Sequence, residues 1–363
     1  MANALSVQTK ASAQFKEQSD NQLRNIVVVG QGAIGLLWYH HLSKTQDTQK
    51  KRVSLLASNQ HLFNKNVDAS LDENKKKSST ELNEASYQFT PYRQKNKQTY
   101  PLIYSQLSDI ESADVILLCV KSYQIAKAIK NIAKITSPHC IIILAHNGMG
   151  TFEEIAKLLP KSQRILAMLT THGSLRQSAF SITHTGLGQS DIGLLSGNTK
   201  YTKPANSTDA NRLGELTLTE QQHLTKLFND ALPKVTFHKD ITDKQWLKLA
   251  INCVINPITA INDIDNGEIN NDNFAEQIHC LLTEISDVSY AVGINLQLDD
   301  LQKAVQNVAK ATATNCSSMR CDVLAGNTTE IDYINGYIHR LGEKYGIATP
   351  ENTRMWQEVK SLG

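Results

Sequence analysis

The stretch Ile26-Val27-Val28-Val29-Gly30-Gln31-Gly32-Ala33-Ile34-Gly35 decides the fold of the first half of the chain. Four β-branched residues predict a buried strand, and the apolar run after the glycines predicts a helix. In a dinucleotide-binding fold Gly30 permits the tight turn, Gly32 lets the backbone approach a pyrophosphate, and Gly35 lets helix and strand pack closely. An ordinary glycine-rich turn is the alternative. We therefore expect six residues to contact a nucleotide at a helix N-terminus: Gly30, Gln31, Gly32, Ala33, Ile34 and Gly35.

The next predicted strand, 52–58, bears on the choice between NAD and NADP. A site that prefers NAD usually has Asp or Glu at the end of this strand to bind the ribose hydroxyls. This chain has Ser58-Asn59-Gln60 instead, so nothing there repels a 2′-phosphate. NADP is therefore favoured, with Lys65 as a candidate cation nearby.

Three further apolar runs predict strands of the same sheet, at 114–120, 140–145 and 164–169. Helical patterns alternate with them, as expected for a doubly wound parallel sheet. Ligands of such sheets bind beyond the carboxyl ends of the strands, where Lys121, Asn147 and Ser174 occur, so these are candidate cofactor contacts. A surface lysine and a loop asparagine are the alternatives for the first two. His172 is assigned a structural or cofactor-contact role rather than a catalytic one, because no carboxylate is identifiable to orient it.

A polar stripe on an apolar helix indicates the catalytic region. Within 248–260, KLAINCVINPITA, the residues Lys248, Asn252 and Asn256 follow one another at steps of four. Each step advances about 40° around a helix, so the three side chains share one face. Buried polar groups need partners, and the stripe therefore predicts the substrate wall of a cleft. A solvated helix face is the alternative.

Length and pattern predict an α/β fold with an N-terminal Rossmann-type dinucleotide-binding domain followed by an all-helical C-terminal domain. Residues 1–24 are expected to be a mobile tail, and residues 25–239 the first domain, with polar surface excursions near 64–100 and 197–215. Residues 240–363 form the second domain, which we expect to carry the substrate and catalytic residues. It opens at Thr242, where Thr and Gln have capping-box spacing, and includes helices over 274–292 and 299–312.

Composition excludes several classes of protein. The 363 residues carry a formal charge of +2 with scattered basic residues, which argues against a nucleic-acid partner. Six cysteines lack paired CxxC spacing, which predicts free thiols in a reducing compartment and no metal site. The chain has neither a secretory signal nor an apolar run of about 20 residues, so no membrane association and a cytoplasmic location are expected.

The chain resembles the 2-dehydropantoate 2-reductases, or ketopantoate reductases, in a series of motifs that covers most of the sequence from residue 25 onward. KLAINCVINPITA and TEIDYING are specific in combination, whereas GxGxxG is shared by many dehydrogenases. The motifs occur in this order: GQGAIG, HNGMG, KLAINCVINPITA, Asn266-Gly267-Glu268, Asn315 with Ser317-Ser318-Met319, TEIDYING and Pro350-Glu351-Asn352-Thr353.

The resemblance implies NADPH-dependent reduction of 2-dehydropantoate to pantoate in pantothenate biosynthesis. It makes Lys248 the catalytic lysine, with Glu330 holding its ammonium group at the cofactor and catalytic end. The implied substrate-binding residues are Asn147, Asn252, Asn256, Asn266 and Ser318, of which Asn147 also touches the cofactor. The family's usual arginine for the 2′-phosphate aligns near Ser58, which is a departure from the pattern.

Two alternatives to this function remain at the level of the sequence. A β-hydroxyacid dehydrogenase also pairs a Rossmann domain with a helical domain and a lysine. A nucleotide-sensing protein without turnover needs the glycine loop but not the Lys, Asn, Ser and Glu set. The expected assembly is a monomer or a homodimer.

Overall fold

The computed structural model describes residues 23–45, 51–57, 85–195 and 216–362. The predicted tail up to residue 22, the Ser58-Asn59-Gln60 segment with Lys65, and the excursion at 197–215 lie outside the described residues. Within the described ranges the chain forms eleven strands: β1 Asn25–Val29, β2 Arg52–Leu56, β3 Ser86–Thr90, β4 Gln98–Pro101, β5 Val115–Leu118, β6 Ile141–Leu144, β7 Arg164–Thr170, β8 Gly173–Ser178, β9 Ser181–Gly186, β10 Ser190–Leu194 and β11 Val235–His238.

The helices of the described residues fall into two groups along the chain. Five lie among or beside the strands: α1 Ala33–Lys44, α2 Leu107–Glu111, α3 Ser122–Ile132, α4 Thr151–Ile155 and α5 Leu218–Ala231. Six follow the last strand: α6 Thr242–Asn262, α7 Ala275–Ala291, α8 Leu298–Ala311, α9 Ser318–Leu324, α10 Asn335–Tyr345 and α11 Pro350–Ser361. Short 3₁₀ turns occupy Asn266–Asn270, Asp272–Phe274 and Ile331–Tyr333.

A seven-stranded sheet in the order β11-β10-β7-β6-β5-β1-β2 forms the centre of the first domain. Its neighbours pair in parallel except β10 with β7, which is antiparallel. Alternate residues of β1 face opposite sides of the sheet. Ile26 and Val28 belong to the core cluster that contains residues of α1 and α5, while Val27 and Val29 pack in the cluster with α3 and α4. The predicted doubly wound α/β sheet is confirmed.

A second, four-stranded sheet in the order β4-β3-β9-β8 lies beside the first. It includes residues 86–101, so the structure differs here from the surface excursion predicted near 64–100. The strand β3 alternates buried and exposed positions, and Tyr87 and Phe89 are buried. Phe89 belongs to the same core cluster as Trp38 of α1, which anchors the small sheet to the large one.

The C-terminal helices bury a separate core against α6. That cluster includes Leu249 and Val254 of α6 together with residues of α7, α8 and α10. The helices α7 and α8 occupy the ranges predicted at 274–292 and 299–312 to within a residue at each end. The start of α6 differs from the predicted capping box, because Ile241 is the N-cap residue and the Asp240 carboxylate accepts a hydrogen bond from the Thr242 amide (3.0 Å).

The six cysteines are free thiols. Across the described ranges, no group of three or more His, Cys, Asp or Glu side chains has an arrangement that could hold a metal ion. Over the same ranges, no helix combines the length and the apolar composition needed to span a bilayer.

Candidate active site

The glycine turn between β1 and α1 is packed too tightly for side chains at two of its positions. Gly30 has a φ of 106°, and a Cβ there would lie 2.8 Å from Cγ1 of Val120. A Cβ on Gly35 would lie 2.0 Å from the carbonyl oxygen of Gly30, well inside the contact distance. The first and third glycines of the motif therefore shape the turn and join it to the neighbouring strand end.

Gly32 differs, because its surroundings leave room. A Cβ there would meet only the carbonyl oxygen of Cys119 at 3.7 Å, an ordinary contact. Gly32 is also the N-cap residue of α1 and has no side chain to accept from the first-turn amides. A twelve-residue helix whose N-terminal amides lack a side-chain cap, next to an open position, fits the pyrophosphate of a dinucleotide. Gln31, Ala33 and Ile34 beside it are half-buried.

A buried carboxylate, Glu330, joins the strand ends of the first domain to the helical domain. Its Oε1 accepts a hydrogen bond from the backbone amide of Ser122 (2.9 Å). Its Oε2 accepts one from Nδ2 of Asn147 (3.1 Å) and lies 3.9 Å from Nζ of Lys121. Both oxygens of this buried carboxylate therefore have hydrogen-bond donors, and a cation lies nearby.

Lys121 lies between two carboxylates of the helical domain. Its Nζ is 2.5 Å from Oδ2 of Asp322 on α9 as well as 3.9 Å from Glu330. Burial acts to lower the pKa of Lys121, but the two carboxylates outweigh it and the pKa is raised. The half-buried Lys121 therefore connects a strand end of the first domain to two carboxylates of the helical domain and is not an ordinary surface lysine. The sequence offered no signal for Asp322, which lies 201 positions away.

Lys248 on α6 reaches the end of β7, where its Nζ donates a hydrogen bond to the carbonyl oxygen of Thr170 (3.1 Å). Burial lowers the pKa of Lys248 to about 8, while the charges of Glu330 and Asp191 act to raise it. The sequence-based expectation that Glu330 holds this ammonium directly differs from the structure, in which Glu330 is paired with Lys121 and Asn147. Glu330 acts on Lys248 through its charge.

The asparagines of the stripe are not on a solvated face. Asn252 is half-buried and Asn256 is 6% exposed. Near them Pro257 interrupts the helical hydrogen bonds, since proline has no amide hydrogen to donate to the carbonyl oxygen of Cys253 four residues earlier. Nδ2 of Asn335 donates to that oxygen instead (2.9 Å) and also to Oδ1 of Asn352 (3.0 Å). The helix that carries Lys248 is thus completed from α10.

Asn266 and Ser318 lie in different surroundings, the first buried and the second exposed. The Asn266 amide donates to the carbonyl oxygen of Asn315 (3.1 Å), and its Nδ2 donates to Oγ1 of Thr312 (3.0 Å). Its buried Oδ1 has no hydrogen-bond partner, which leaves an acceptor available to a ligand. Ser318 is exposed at the first residue of α9, whereas its neighbour Ser317 is buried and caps the helix.

The segment after β7 contributes His172 and Ser174 to the packing between the two sheets. The His172 ring lies edge-on to Trp38, with 6.2 Å between ring centroids, and Nδ1 accepts from the Gly188 amide (3.1 Å). Burial lowers the pKa of His172 to about 4, so the ring is neutral near pH 7. Ser174 on β8 is half-buried, and its Oγ has no hydrogen-bond partner. The contacts of His172 are ring packing and one backbone hydrogen bond, and its buried Nε2 has no hydrogen-bond partner.

The match to known families covers both parts of the chain. Residues 26–197 match the family "Ketopantoate reductase PanE/ApbA", and residues 240–363 match "Ketopantoate reductase PanE/ApbA C terminal". The chain belongs to the ketopantoate reductase family. Its Lys248 helix lies in the segment matched by the C-terminal family, and its glycine turn in the segment matched by the N-terminal one.

Relatives in the ketopantoate reductase family match over most of their length. The chain is 34% identical to the 2-dehydropantoate 2-reductase of Vibrio cholerae over 338 residues, which is 93% of this chain and 97% of the relative. It is 36% identical to that of Shigella flexneri over 251 residues, 69% of this chain and 75% of the relative. The first of these matches covers enough of the chain to include both the glycine turn and the lysine helix.

Solved structures share the fold. A D-mandelate dehydrogenase with NADH and anilino(oxo)acetate superposes with a TM-score of 0.73 at 19% identity, covering 93% of this chain and 98% of that one. A ketopantoate reductase from Ralstonia eutropha gives 0.71 at 21% identity, with the same coverage of both chains. The similarity of these structures extends to both domains.

Proposed function

We infer that this protein is an NADPH-dependent 2-dehydropantoate 2-reductase, which reduces 2-dehydropantoate to pantoate in pantothenate biosynthesis. The observation that carries the inference is the family match over both segments, together with relatives of that name over most of the chain. The lysine helix facing the strand ends supplies a site where such chemistry fits.

The proposed cofactor site consists of the glycine turn and the side chains at neighbouring strand ends. Bound NADPH supplies the hydride that reduces the substrate ketone. The open position at Gly32 and the uncapped start of α1 support pyrophosphate binding there. The full proposed set of cofactor-binding residues is Gly30, Gln31, Gly32, Ala33, Ile34, Gly35, Lys121, Asn147, Ser174 and Glu330.

Lys248 is proposed to donate the proton that neutralises the oxygen of the reduced carbonyl. With a pKa of about 8, the side chain is mostly an ammonium at neutral pH yet gives up its proton more readily than an ordinary lysine. Its charge also stabilises the negative charge that develops on the ketone oxygen. Release of the bond to the Thr170 carbonyl frees Nζ to face the substrate.

The remaining residues are proposed to orient the substrate and the proton donor. Glu330 keeps Lys248 protonated through its charge and fixes the Asn147 amide by a hydrogen bond. The unpartnered Oδ1 of Asn266 offers an acceptor for the substrate hydroxyl group. The proposed substrate-binding set is Asn147, Asn252, Asn256, Asn266 and Ser318, whose amides and hydroxyl suit a carboxylate and a hydroxyl group.

The test is NADPH oxidation at 2-dehydropantoate concentrations that span KM, with parallel reactions using NADH and simple 2-keto acids. We expect selective turnover with NADPH and 2-dehydropantoate. Lys248→Ala should lower kcat by about 10²- to 10⁴-fold, the usual contribution of a general acid, with little change in NADPH binding. The matched control is Lys303→Ala on the exposed side of α8, which should leave kcat unchanged. Undiminished turnover of Lys248→Ala would reject the assigned role.

We also propose that the enzyme works in the cytoplasm as a monomer or a homodimer. Six free thiols support a reducing compartment. Light scattering of the purified protein measures the mass of the assembly, and cell fractionation tests the location.

A further inference from the structure

Two cysteines flank the first turn of α9. Ser317 is the N-cap residue, so Cys316 precedes the cap and Cys321 is the fourth helical residue. These are the two positions whose side chains meet across a helix start in the hydrophobic staple. The Sγ atoms of Cys316 and Cys321 lie 2.7 Å apart. We propose that Cys316 and Cys321 are a thiol-oxidation site that closes to a reversible disulfide and restrains the turn beside the substrate residues.

The turn between these cysteines is tied to the helix that carries Lys248. Oγ of Ser317 accepts a hydrogen bond from the Arg320 amide (3.1 Å) and one from Oγ1 of Thr259 on α6 (2.7 Å). The carbonyl oxygen of Asn315, the residue before Cys316, accepts a hydrogen bond from the backbone amide of Asn266 (3.1 Å). A disulfide would therefore restrain the segment that positions Asn266 and Ser318. This functional consequence rests on the proposed roles of those two residues.

The two thiols are accessible, unlike most others in the protein. Cys316 is exposed and Cys321 half-buried, whereas Cys119, Cys140 and Cys253 are buried. Cys280 is exposed as well and lies on a different helix, α7. Accessible thiols react with oxidants, but only an adjacent pair can close to an internal disulfide. Cys280 is therefore the matched control.

The oxidation needs a peroxide, and hydrogen peroxide is the probe. The two sulfur atoms are adjacent and the product is the same whichever thiol reacts first, so the first attack is assigned to Cys321. The Cys321 thiolate attacks one peroxide oxygen, the O–O bond breaks, and the departing hydroxide takes a proton to become water. Cys316 then loses its proton and attacks the Cys321 sulfenic sulfur, releasing a second water. Two thiols and one peroxide thus give one disulfide and two waters.

The experiment uses the intact enzyme treated with hydrogen peroxide and then blocked with N-ethylmaleimide. Intact mass and peptide mapping should show a Cys316–Cys321 linkage in the wild-type protein and in Cys280→Ser, but not in Cys316→Ser or Cys321→Ser. Dithiothreitol should reverse the linkage. A wild-type protein whose Cys316 and Cys321 become separate sulfinic acids, or stay reduced while Cys280 oxidises, would overturn the proposal.

Kinetics test the restraint on the turn. Ordering one side chain before binding typically changes affinity by about two- to tenfold. We therefore expect the KM for 2-dehydropantoate of the oxidised enzyme to be lower by that factor. The KM for NADPH should be unchanged. An unchanged KM in an enzyme shown by mass to be fully linked would overturn the coupling to the substrate site. Because the linkage is read by mass, a lack of any turnover would reject the proposed function without affecting this result.

Discussion

Replacing Asn335 with alanine tests the idea that the helix carrying Lys248 is completed from α10. The side-chain amide nitrogen of Asn335, Nδ2, donates hydrogen bonds to the carbonyl oxygen of Cys253 and to Oδ1 of Asn352, and all three residues are fully buried. The substitution leaves two buried acceptors without these donors. Each unsatisfied buried group costs about 1–3 kcal/mol, so we expect a loss of roughly 3 kcal/mol in the free energy of unfolding. For a domain of this size, that loss corresponds to a fall of about 10 °C in Tm.

The assay is calorimetry and urea unfolding monitored by circular dichroism at 222 nm. The control is Asn307→Ala, at an exposed position of α8, where the same change should alter stability by less than about 0.5 kcal/mol. The decisive comparison adds Pro257→Ala, which restores a backbone amide able to donate to the Cys253 carbonyl oxygen. Pro257→Ala should stabilise the Asn335→Ala background more than the wild type. Equal effects in the two backgrounds would refute the reasoning, since the substitutions would then be independent.

Other expected outcomes concern proton donation and the cofactor turn. The pKa of Lys248 is lowered to about 8, so the ammonium is present below that pH and lost above it, and a pH profile of kcat should fall on the alkaline side. Glu330→Gln removes a charge that raises this pKa, so the falling limb should move to lower pH; a limb that stays in place contradicts the electrostatic role. Gly35→Ala brings a Cβ to 2.0 Å from the Gly30 carbonyl oxygen and should cost about 1–3 kcal/mol of stability in urea unfolding. Gly32→Ala has room in the free protein and should keep its Tm while the KM for NADPH rises, whereas an unchanged KM argues against phosphate binding at that position.

The central sheet could be predicted from local sequence because its strands are continuous apolar runs. Val115–Leu118 and Ile141–Leu144 are buried throughout, as strands covered on both faces must be. The small sheet could not be predicted in the same way. The strand Ser86–Thr90 is short, carries polar residues on its exposed side, and pairs with residues 181–183, about ninety positions later. Such pairing leaves no local pattern in the sequence.

In the candidate site, too, local spacing predicted some residues, whereas contacts between residues distant in the sequence could not be predicted. The spacing of Lys248, Asn252 and Asn256 is a local signal, and the structure places these residues on one partly buried helix. The partners of Glu330 could not be read from the sequence, because Ser122 and Asn147 lie about two hundred positions away. Sequence reasoning missed Asp322 and assigned no role to Ser317 or Asn335, although the last two lie in the motifs quoted above. For Asn335 a signal existed, since a proline inside a helix leaves a carbonyl oxygen that another group must satisfy.

The donation from Asn335 to the Cys253 carbonyl oxygen has a consequence for synthesis of the protein on the ribosome. The two residues are 82 positions apart, and a ribosome adds roughly 5–20 residues per second, so the Lys248 helix waits on the order of ten seconds for its missing donor. During that interval the Cys253 carbonyl oxygen lacks the hydrogen bond from the Asn335 side chain. The apolar side chains of the helix that pack against α10 in the folded protein are also exposed. Nascent chains stalled before residue 335 should be cut by protease near Pro257, and chains released after residue 352 should resist.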